Sequence, residues 1–478
     1  MKNMDKFRND FLKALKVSDW QGVVLAATEI LKLDTSEPMV WSNRGVALEQ
    51  LGFPLDAILN YDKSIELEEA KGIKPTINYA NKGAAYWDMA NAPKAKEYLL
   101  RAIENDPAIA QAHMTLGNVY KHEGNLSKAI DCYRASIKAD HEYADGHLCL
   151  GMALLKNGDM KEGWKEYAWR WKTDQLPPRK FRCPHWNGED LTGKTILVHG
   201  EQGLGDIIQF SRYVRVLGNQ FPRAKIVVEG RHQVKRLLNT IIEAYAVVNV
   251  GEKLPVCDYE ISMIDLAALY TPSINLIPAI DREFLLRPDD VEAWGNRLQP
   301  LIDLNPEAKR VGICWAGMSR DTHPSAAAID TLRSAALMDF APLMKVPNVI
   351  WLSLQKGPPA EQIKARPNGM IVGDFTDDMF DFYETACAIE NCDLVITVDT
   401  AVAHVAASIG KETWMLSRWD GCWRWFGNRS DSPWYPSLRQ FEQPKPHDWE
   451  GLMVEVATEL RKFAVSKNEP EFNLTLAK

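Results

Sequence analysis

Apolar residues recur at helical spacing as far as Trp171, and glycines divide this region into similar segments. Gly83, Gly117 and Gly151 follow one another at intervals of 34 residues, and Gly45 lies 38 residues before Gly83. Three segments carry a further glycine that marks a turn between two helices: Gly52, Gly124 and Gly158. The pattern predicts four consecutive helical hairpins.

Each of the first four glycines is followed by a small residue 12 positions later and a large residue 16 positions later. The pairs are Ala57 and Tyr61, Ala95 and Leu99, Ala129 and Tyr133, and Gly163 and Tyr167. Small residues let two helices approach closely, and we expect the large ones to fill the space between neighbouring hairpins. The period is that of the tetratricopeptide repeat. We therefore predict a tetratricopeptide superhelix over residues 1–175, in which segment 5–35 is a degenerate cap.

Such an array forms a concave surface. One interpretation is a groove for a peptide or a partner protein. The alternative is a spacer or a surface for homodimerisation, and the repeats alone do not decide between them.

The helical pattern ends after Trp171, where prolines and Gly188 predict a linker over residues 176–193. Short apolar runs then alternate with helical segments, as in parallel sheets covered on both faces. The predicted strands are 195–199, 225–229, 259–263, 310–315, 349–354, 370–372, 393–397 and 412–416. They predict two Rossmann-like domains around one cleft, over residues 194–305 and 306–466, followed by a tail over 467–478.

Composition narrows the class of protein. The chain is 46% hydrophobic and 25% charged, without an apolar stretch long enough to span a membrane and without an apolar signal segment at its start. We therefore expect a cytoplasmic protein. The eight cysteines lack metal-binding spacing, so we expect free thiols and no metal. A net charge of -8 disfavours nucleic acid as a partner, although a local basic groove stays open.

The first candidate motif is 198–206, which ends in Gly203-Leu-Gly205-Asp206. It follows a predicted strand and precedes a predicted helix over 207–217. Gly203 and Gly205 allow the backbone to approach a ligand closely. Asp206 would lie at the floor of the cleft, where a carboxylate can accept a proton. The alternative role for Asp206 is the N-cap of the helix.

The second candidate motif, 393–404, contains Asp399, Thr400, Ala401 and His404 at another strand end. Asp399 or Thr400 can cap the next helix, whose free amides suit a diphosphate. His404 would either bond a phosphate or a sugar or be a packing residue.

Two further strand ends supply polar and charged side chains, with Gln355 and Lys356 at one and Arg333 and Ser334 near the other. The cations suit the diphosphate of a nucleotide, although each could equally be a solvated surface charge. The aromatic stretch 419–436 is open between sugar stacking and domain packing.

At these residues the chain resembles bacterial tetratricopeptide-repeat proteins whose C-terminal part is similar to glycosyltransferase family 9, the ADP-heptose lipopolysaccharide heptosyltransferases. The runs that carry the resemblance are 200–213, 353–358, 399–404 and 431–436. The architecture also looks like that of the protein O-GlcNAc transferases, which join such repeats to a GT-B catalytic region.

The resemblance implies a GT-B fold and an inverting, metal-independent transfer without a cofactor, from a nucleotide diphosphate sugar. Asp206 would be the catalytic base, and Asp399, Thr400 and the following helix start would hold the donor. Arg333, Ser334, Gln355 and Lys356 match residues of the fused group. The chain departs from it after Gly317, where Met318 stands in place of the usual Asn, which leaves the donor contacts of this loop and the donor itself open.

Three functions follow. The first is a glycosyltransferase whose repeats bind a protein acceptor. The second keeps the donor but transfers to a saccharide, a lipid or a modified nucleic-acid base. The third is a non-catalytic scaffold with an inactive GT-B half.

Overall fold

The computed structural model describes residues 2–173, 176, 179–318, 330–366 and 370–465. The loop after Met318 and the tail 467–478, both singled out above, lie outside this described part. The chain divides into two compact units, residues 1–179 and residues 180–478.

The first unit consists of antiparallel helical hairpins. Its helices are α1 Lys2–Lys16, α2 Trp20–Leu33, α3 Pro38–Gln50, α4 Pro54–Ala70, α5 Thr76–Asp88, α6 Ala92–Asn105, α7 Ala110–His122, α8 Leu126–Ala139, α9 Ala144–Asn157 and α10 Met160–Tyr167. A 3₁₀ turn, Ala168–Lys172, ends the array close to where the sequence pattern stops. The fold is therefore the predicted helical repeat array.

The repeat glycines are sites of close helix approach. A Cβ atom at Gly117 would lie 2.4 Å from the ring of Tyr133, and Gly45 and Gly83 face Tyr61 and Leu99 in the same way. These partners belong to the same hairpin, so the regular spacing encodes contacts within a hairpin, where we had expected contacts between hairpins. The turn glycines have positive φ angles, as predicted: Gly52, Gly124 and Gly158.

The first hairpin, α1 and α2, differs from the others. It lacks the repeat glycine, and its turn uses Ser18 at a φ of 54° followed by Asp19, whose side chain caps α2. Exposed polar side chains occupy most of α1, while Phe11 packs inward against Val23 and Ile30. A polar outer face is what the end of a repeat array requires.

The second unit contains two parallel sheets. The strands are β1 Thr195–His199, β2 Lys225–Gly230, β3 Ala244–Asn249, β4 Tyr259–Ser262, β5 Lys309–Cys314, β6 Val349–Ser353, β7 Val372–Asp374, β8 Leu394–Val398, β9 Thr413–Ser417 and β10 Leu438–Glu442. The first sheet has the order β3-β2-β1-β4 and the second β10-β9-β8-β5-β6-β7. In the second sheet Val311 pairs with Trp351 on one side and with Leu394 on the other.

Helices cover these sheets. They are α11 Leu204–Phe210, α12 Arg212–Gln220, α13 His232–Leu238, α14 Met263–Tyr270, α15 Pro288–Ile302, α16 Ala341–Met344, α17 Phe382–Glu390, α18 Ala401–Ser408 and α19 Trp449–Val465. Every residue of β8 and β9 is buried, which explains their continuous apolar sequences. All eight cysteines are free.

Three differences from the sequence prediction concern edges and boundaries. β3 and β10 were not predicted, and β7 begins two residues later than predicted; all three are edge strands. The predicted helix 207–217 is two helices, α11 and α12, that meet at Ser211. The second half of the predicted linker belongs to the α/β unit, since His185 forms a parallel bridge with Glu260 and Trp186 is buried.

Across the described residues, no helix combines the length and the apolar character that crossing a bilayer requires.

Candidate functional site

The first motif connects β1 to α11. Gly203 is the N-cap of α11, and Asp206 is the third residue of the helix. Oδ2 of Asp206 accepts the backbone N–H of Gly203 at 2.9 Å, which satisfies a donor at the helix start. Asp206 therefore bonds back to the N-cap and is not the N-cap itself, which corrects that alternative.

The other carboxylate oxygen of Asp206 is paired with the guanidinium group of Arg424, a residue that the sequence analysis did not single out. Arg424 also donates from Nη2 to Oε1 of Gln202 at 3.2 Å. Its guanidinium carbon lies 4.4 Å from the centroid of the Trp423 ring. Both side chains of the ion pair are mostly buried, with 13% and 14% exposed. The aromatic stretch thus brings a cation to the first motif, and its only signal in the sequence is a lone arginine among tryptophans.

His404 lies in the first turn of α18 and is buried. Its Nδ1 atom is 2.9 Å from the hydroxyl of Tyr435, and its ring stacks on Trp425 at a centroid distance of 4.9 Å. Burial, together with the guanidinium groups of Arg424, Arg212 and Arg333, holds the pKa of His404 well below its ordinary value. The ring is therefore neutral, and these contacts favour the packing interpretation of His404.

His404 also accounts for Gly205. A Cβ atom at Gly205 would lie 2.8 Å from Cδ2 of His404 and 3.7 Å from Cα of Ala401, the first residue of α18. The two helices that we expected to face each other across a cleft are in direct contact here. Gly205 is thus needed for the approach of α18, a role that the expectation of ligand contact at this glycine did not include.

The start of α18 brings together four of the other predicted residues. Thr400 is the N-cap, with its Oγ1 accepting from the N–H of Val402 at 3.3 Å. The carbonyl of Asp399 accepts from Nη1 of Arg333 at 3.4 Å. Arg333 is also paired with Asp330 at 2.9 Å, while its buried Nε has no hydrogen-bond partner among the described residues. Ser334 accepts from the N–H of Gly317 at 3.1 Å.

Gln355 and Lys356 have structural partners. Oε1 of Gln355 accepts from the backbone N–H groups of Trp315 and Ala316 at 3.0 and 2.8 Å, and its Nε2 donates to the carbonyls of Ala316 and Lys356. These bonds use the amide to join the ends of β5 and β6. Lys356 donates from Nζ to the carbonyl of Thr376 at 2.5 Å. Gln355 therefore organises the strand ends from a buried position.

A buried ion pair lies beside this region and was not predicted. Arg212 and Glu283, 1% and 2% exposed, are 3.5 Å apart. Arg212 also donates to the carbonyl of Trp434 and lies 4.6 Å from the Tyr435 ring centroid. Burial raises the pKa of Glu283 to about 7, against the opposing effect of Arg212. The pair ties the first half of the α/β unit to the run 432–436.

A small crevice lies elsewhere in the second sheet. It encloses about 240 Å³ beside Leu298, Arg310, Ile350 and Asn391. These residues mark the amino ends of β5, β6 and β8, opposite to the motifs, so the crevice is unrelated to the predicted chemistry.

Comparison with sequence families identifies part of the first unit. Residues 78–109 match the family described as Tetratricopeptide repeat, and residues 117–158 match the one described as TPR repeat. These segments correspond to α5–α6 and α7–α9.

Two curated proteins and one solved structure illustrate the wider similarity. The chain is 25% identical over 462 residues to Protein FlbA of Caulobacter vibrioides, covering 81% of this chain and 73% of that protein. It is 31% identical over 133 residues to the human RanBP2-like and GRIP domain-containing protein 3, covering 27% of this chain and 7% of that protein. The glycosyl transferase family 9 structure from Veillonella parvula is 12% identical with a TM-score of 0.41, covering 57% of this chain and 99% of that one.

The helical unit therefore carries tetratricopeptide repeats, and the chemistry of the α/β unit has to be argued from its own residues.

Proposed function

We propose that the α/β unit is a glycosyltransferase that moves a sugar from a nucleotide diphosphate sugar to an acceptor hydroxyl, without a metal. One observation carries this proposal: Arg333, with a buried Nε that has no partner among the described residues, lies beside the amino end of α18. A guanidinium group and the first amides of a helix are together suited to bind a diphosphate.

The proposed reaction uses the two motifs in different ways. The acceptor oxygen forms a bond to the anomeric carbon while the bond from that carbon to the diphosphate breaks. The nucleoside diphosphate leaves with the bonding electrons, and Arg333 and the amides at the start of α18 stabilise its charge. Asp206 takes the proton of the acceptor hydroxyl. Inversion at the anomeric carbon follows from this single displacement.

The acceptor we propose is a protein held by the repeats. Stacked hairpins provide a continuous surface for an extended segment, and this role is the part of the proposal that rests on the repeat fold alone. Transfer to a saccharide, a lipid or a nucleic-acid base would use the same donor residues.

A thermal-shift panel of ADP-, UDP- and GDP-sugars tests the donor site, because a ligand that binds the folded state raises its stability by about 2.7 kcal/mol at 100 times its Kd. We expect one nucleotide class to raise the melting temperature and Arg333→Gln to abolish the rise. Arg439→Gln, which removes an arginine paired with Glu459 on β10, is the matched control and should keep it. Asp206→Asn should keep the nucleotide but lower sugar transfer by about 100-fold or more.

A non-catalytic scaffold is the second candidate, favoured by the engagement of both Asp206 oxygens and by the packing of His404 on Gly205. The absence of any shift across the panel would support the scaffold and contradict the transferase.

A further inference from the structure

Arg424 is placed to respond to an anion at the start of α18. Its partner Asp206 is next in sequence to Gly205, whose Cβ position is 3.7 Å from Cα of Ala401 at the start of that helix. The ion pair is therefore adjacent to the helix end that we propose holds the diphosphate. His404, in the first turn of α18, lies in the field of Arg424, Arg212 and Arg333, so positive charge is concentrated around this helix start.

The backbone on both sides of the ion pair adopts conformations that side chains usually avoid. Gln202, which accepts from Arg424, has a φ of 59°. Phe426, two residues after Arg424, has a φ of 60° and a ψ of 178°, a region that is occupied essentially by glycine alone. Such strain persists only where surrounding contacts impose it, and it is concentrated at ligand sites and switches.

The backbone of Arg424 is fixed, but its side chain has alternatives. Nε1 of Trp434 donates to the carbonyl of Arg424 at 2.7 Å and holds the main chain in place. The guanidinium group rests on the face of Trp423, a surface along which a planar cation can turn while keeping its stacking contact. A change of partner therefore requires rotation of one side chain only.

We propose that Arg424 exchanges partners, holding Asp206 when the donor site is empty and a diphosphate oxygen when the donor is bound. This inference rests on the proposed function. A diphosphate carries more charge and more acceptor oxygens than one carboxylate, so it competes effectively for the guanidinium group. After the exchange, Asp206 keeps its bond to Gly203 and has one oxygen released to receive the acceptor proton. Arg424 is thus a positioning residue that makes the base available only when the donor is present.

The test is calorimetric titration of the full-length chain with ADP, UDP and GDP. If Asp206 competes with the nucleotide for Arg424, Asp206→Asn should tighten binding by about tenfold and Arg424→Gln should weaken it by about tenfold. The double variant should bind as weakly as Arg424→Gln alone, because the gain from Asp206→Asn depends on the arginine. A merely structural ion pair would not produce a gain in affinity.

A neighbouring ion pair supplies the control. Arg429 and Asp431 form a 2.7 Å pair in the same segment with Asp431 exposed, so Arg429→Gln should leave nucleotide affinity unchanged. Arg424→Lys keeps the charge and should retain part of the affinity, which covers the case in which Arg424→Gln fails to fold. Wild-type binding combined with equal or weaker binding by Asp206→Asn would overturn the exchange and leave the donor site standing. No binding of any of the three nucleotides by the wild type would overturn both.

Discussion

Both units contain glycines that another element approaches closely, but the two units differ in the distance along the chain to the partner. In the repeats, Gly117 meets Tyr133, which follows it by 16 residues. In the α/β unit, Gly205 meets His404, which belongs to the other sheet. A repeated local contact leaves a period in the sequence. A single long-range contact leaves none, so its glycine is easily mistaken for one that faces a ligand.

The same contrast applies to charged residues. Ion pairs in the repeats join neighbouring helices at the surface, as in Lys96 with Glu123 and Arg134 with Glu162. Such pairs contribute little to stability. In the α/β unit, Arg212 and Glu283 are paired within the protein interior, where the loss of one partner leaves a buried charge. Long-range polar contacts should therefore be the more sensitive ones.

The largest effect is expected for Arg212→Leu. Removal of the guanidinium group leaves Glu283 and the carbonyl of Trp434 without their cation, and we expect a loss of about 4 kcal/mol in the free energy of unfolding. Arg215→Leu is the matched control, since Arg215 lies on the same helix in a half-exposed pair with Glu243. It should cost about 1 kcal/mol or less. Urea denaturation of both variants measures the difference, and equal losses would contradict the contrast.

The next effect belongs to the repeats. A Cβ atom at Gly151 would lie 2.4 Å from the backbone nitrogen of Tyr167, which cannot turn aside as a side chain can. Gly151→Ala should therefore destabilise the hairpin by about 3 kcal/mol. Gly124→Ala, at a turn with a φ of 78° and open space, should cost about 1 kcal/mol from its backbone conformation alone. Hydrogen exchange of α9 and α10 in the first variant, and of α7 and α8 in the second, gives both values. Similar losses would mean that the helix pair can separate without cost.

How far the sequence specified the molecule depends on the range of each contact. The hairpins and the buried strands could be predicted because their signals are local. The edge strands β3, β7 and β10 were missed or displaced because one side of each is unpaired; β10 carries Arg439, Gln440 and Glu442 within five residues. The motifs at Gly203–Asp206 and Asp399–His404 were located at the correct strand ends. Their partners Arg424 and Tyr435 could not be predicted, because no spacing connects these distant segments.

A smaller effect is expected for Gly205→Ala. The new methyl group would meet the ring of His404, which stacking on Trp425 and the bond to Tyr435 hold in place, at a cost of about 2 kcal/mol. Gly203→Ala is the control within the same motif, because only Oδ2 of Asp206 lies within 4 Å of its Cβ position. It should cost about 1 kcal/mol or less. If His404→Ala in the Gly205→Ala background recovers no stability in a double-mutant cycle, the ring is not the obstacle.

The smallest effect returns to the repeats and depends on pH. Glu49 accepts a hydrogen bond from the hydroxyl of Tyr61 at 2.6 Å, and burial raises the pKa of Glu49 to about 7 from an ordinary 4.5. Between these two values the folded state binds more protons than the unfolded state, so stability falls as the pH rises through this window. The carboxylate is partly exposed, so after allowance for solvent screening we expect a loss of about 1 kcal/mol between pH 5 and pH 8. Glu49→Gln cannot titrate and should flatten this part of the pH profile measured by urea denaturation. Because Glu283 in the α/β unit has its pKa raised to a similar value, the same measurement on Glu283→Gln tests whether burial acts alike in both units. An unchanged pH dependence in Glu49→Gln would show that the carboxylate stays ionised in the folded repeats and that Tyr61 stabilises its charged form.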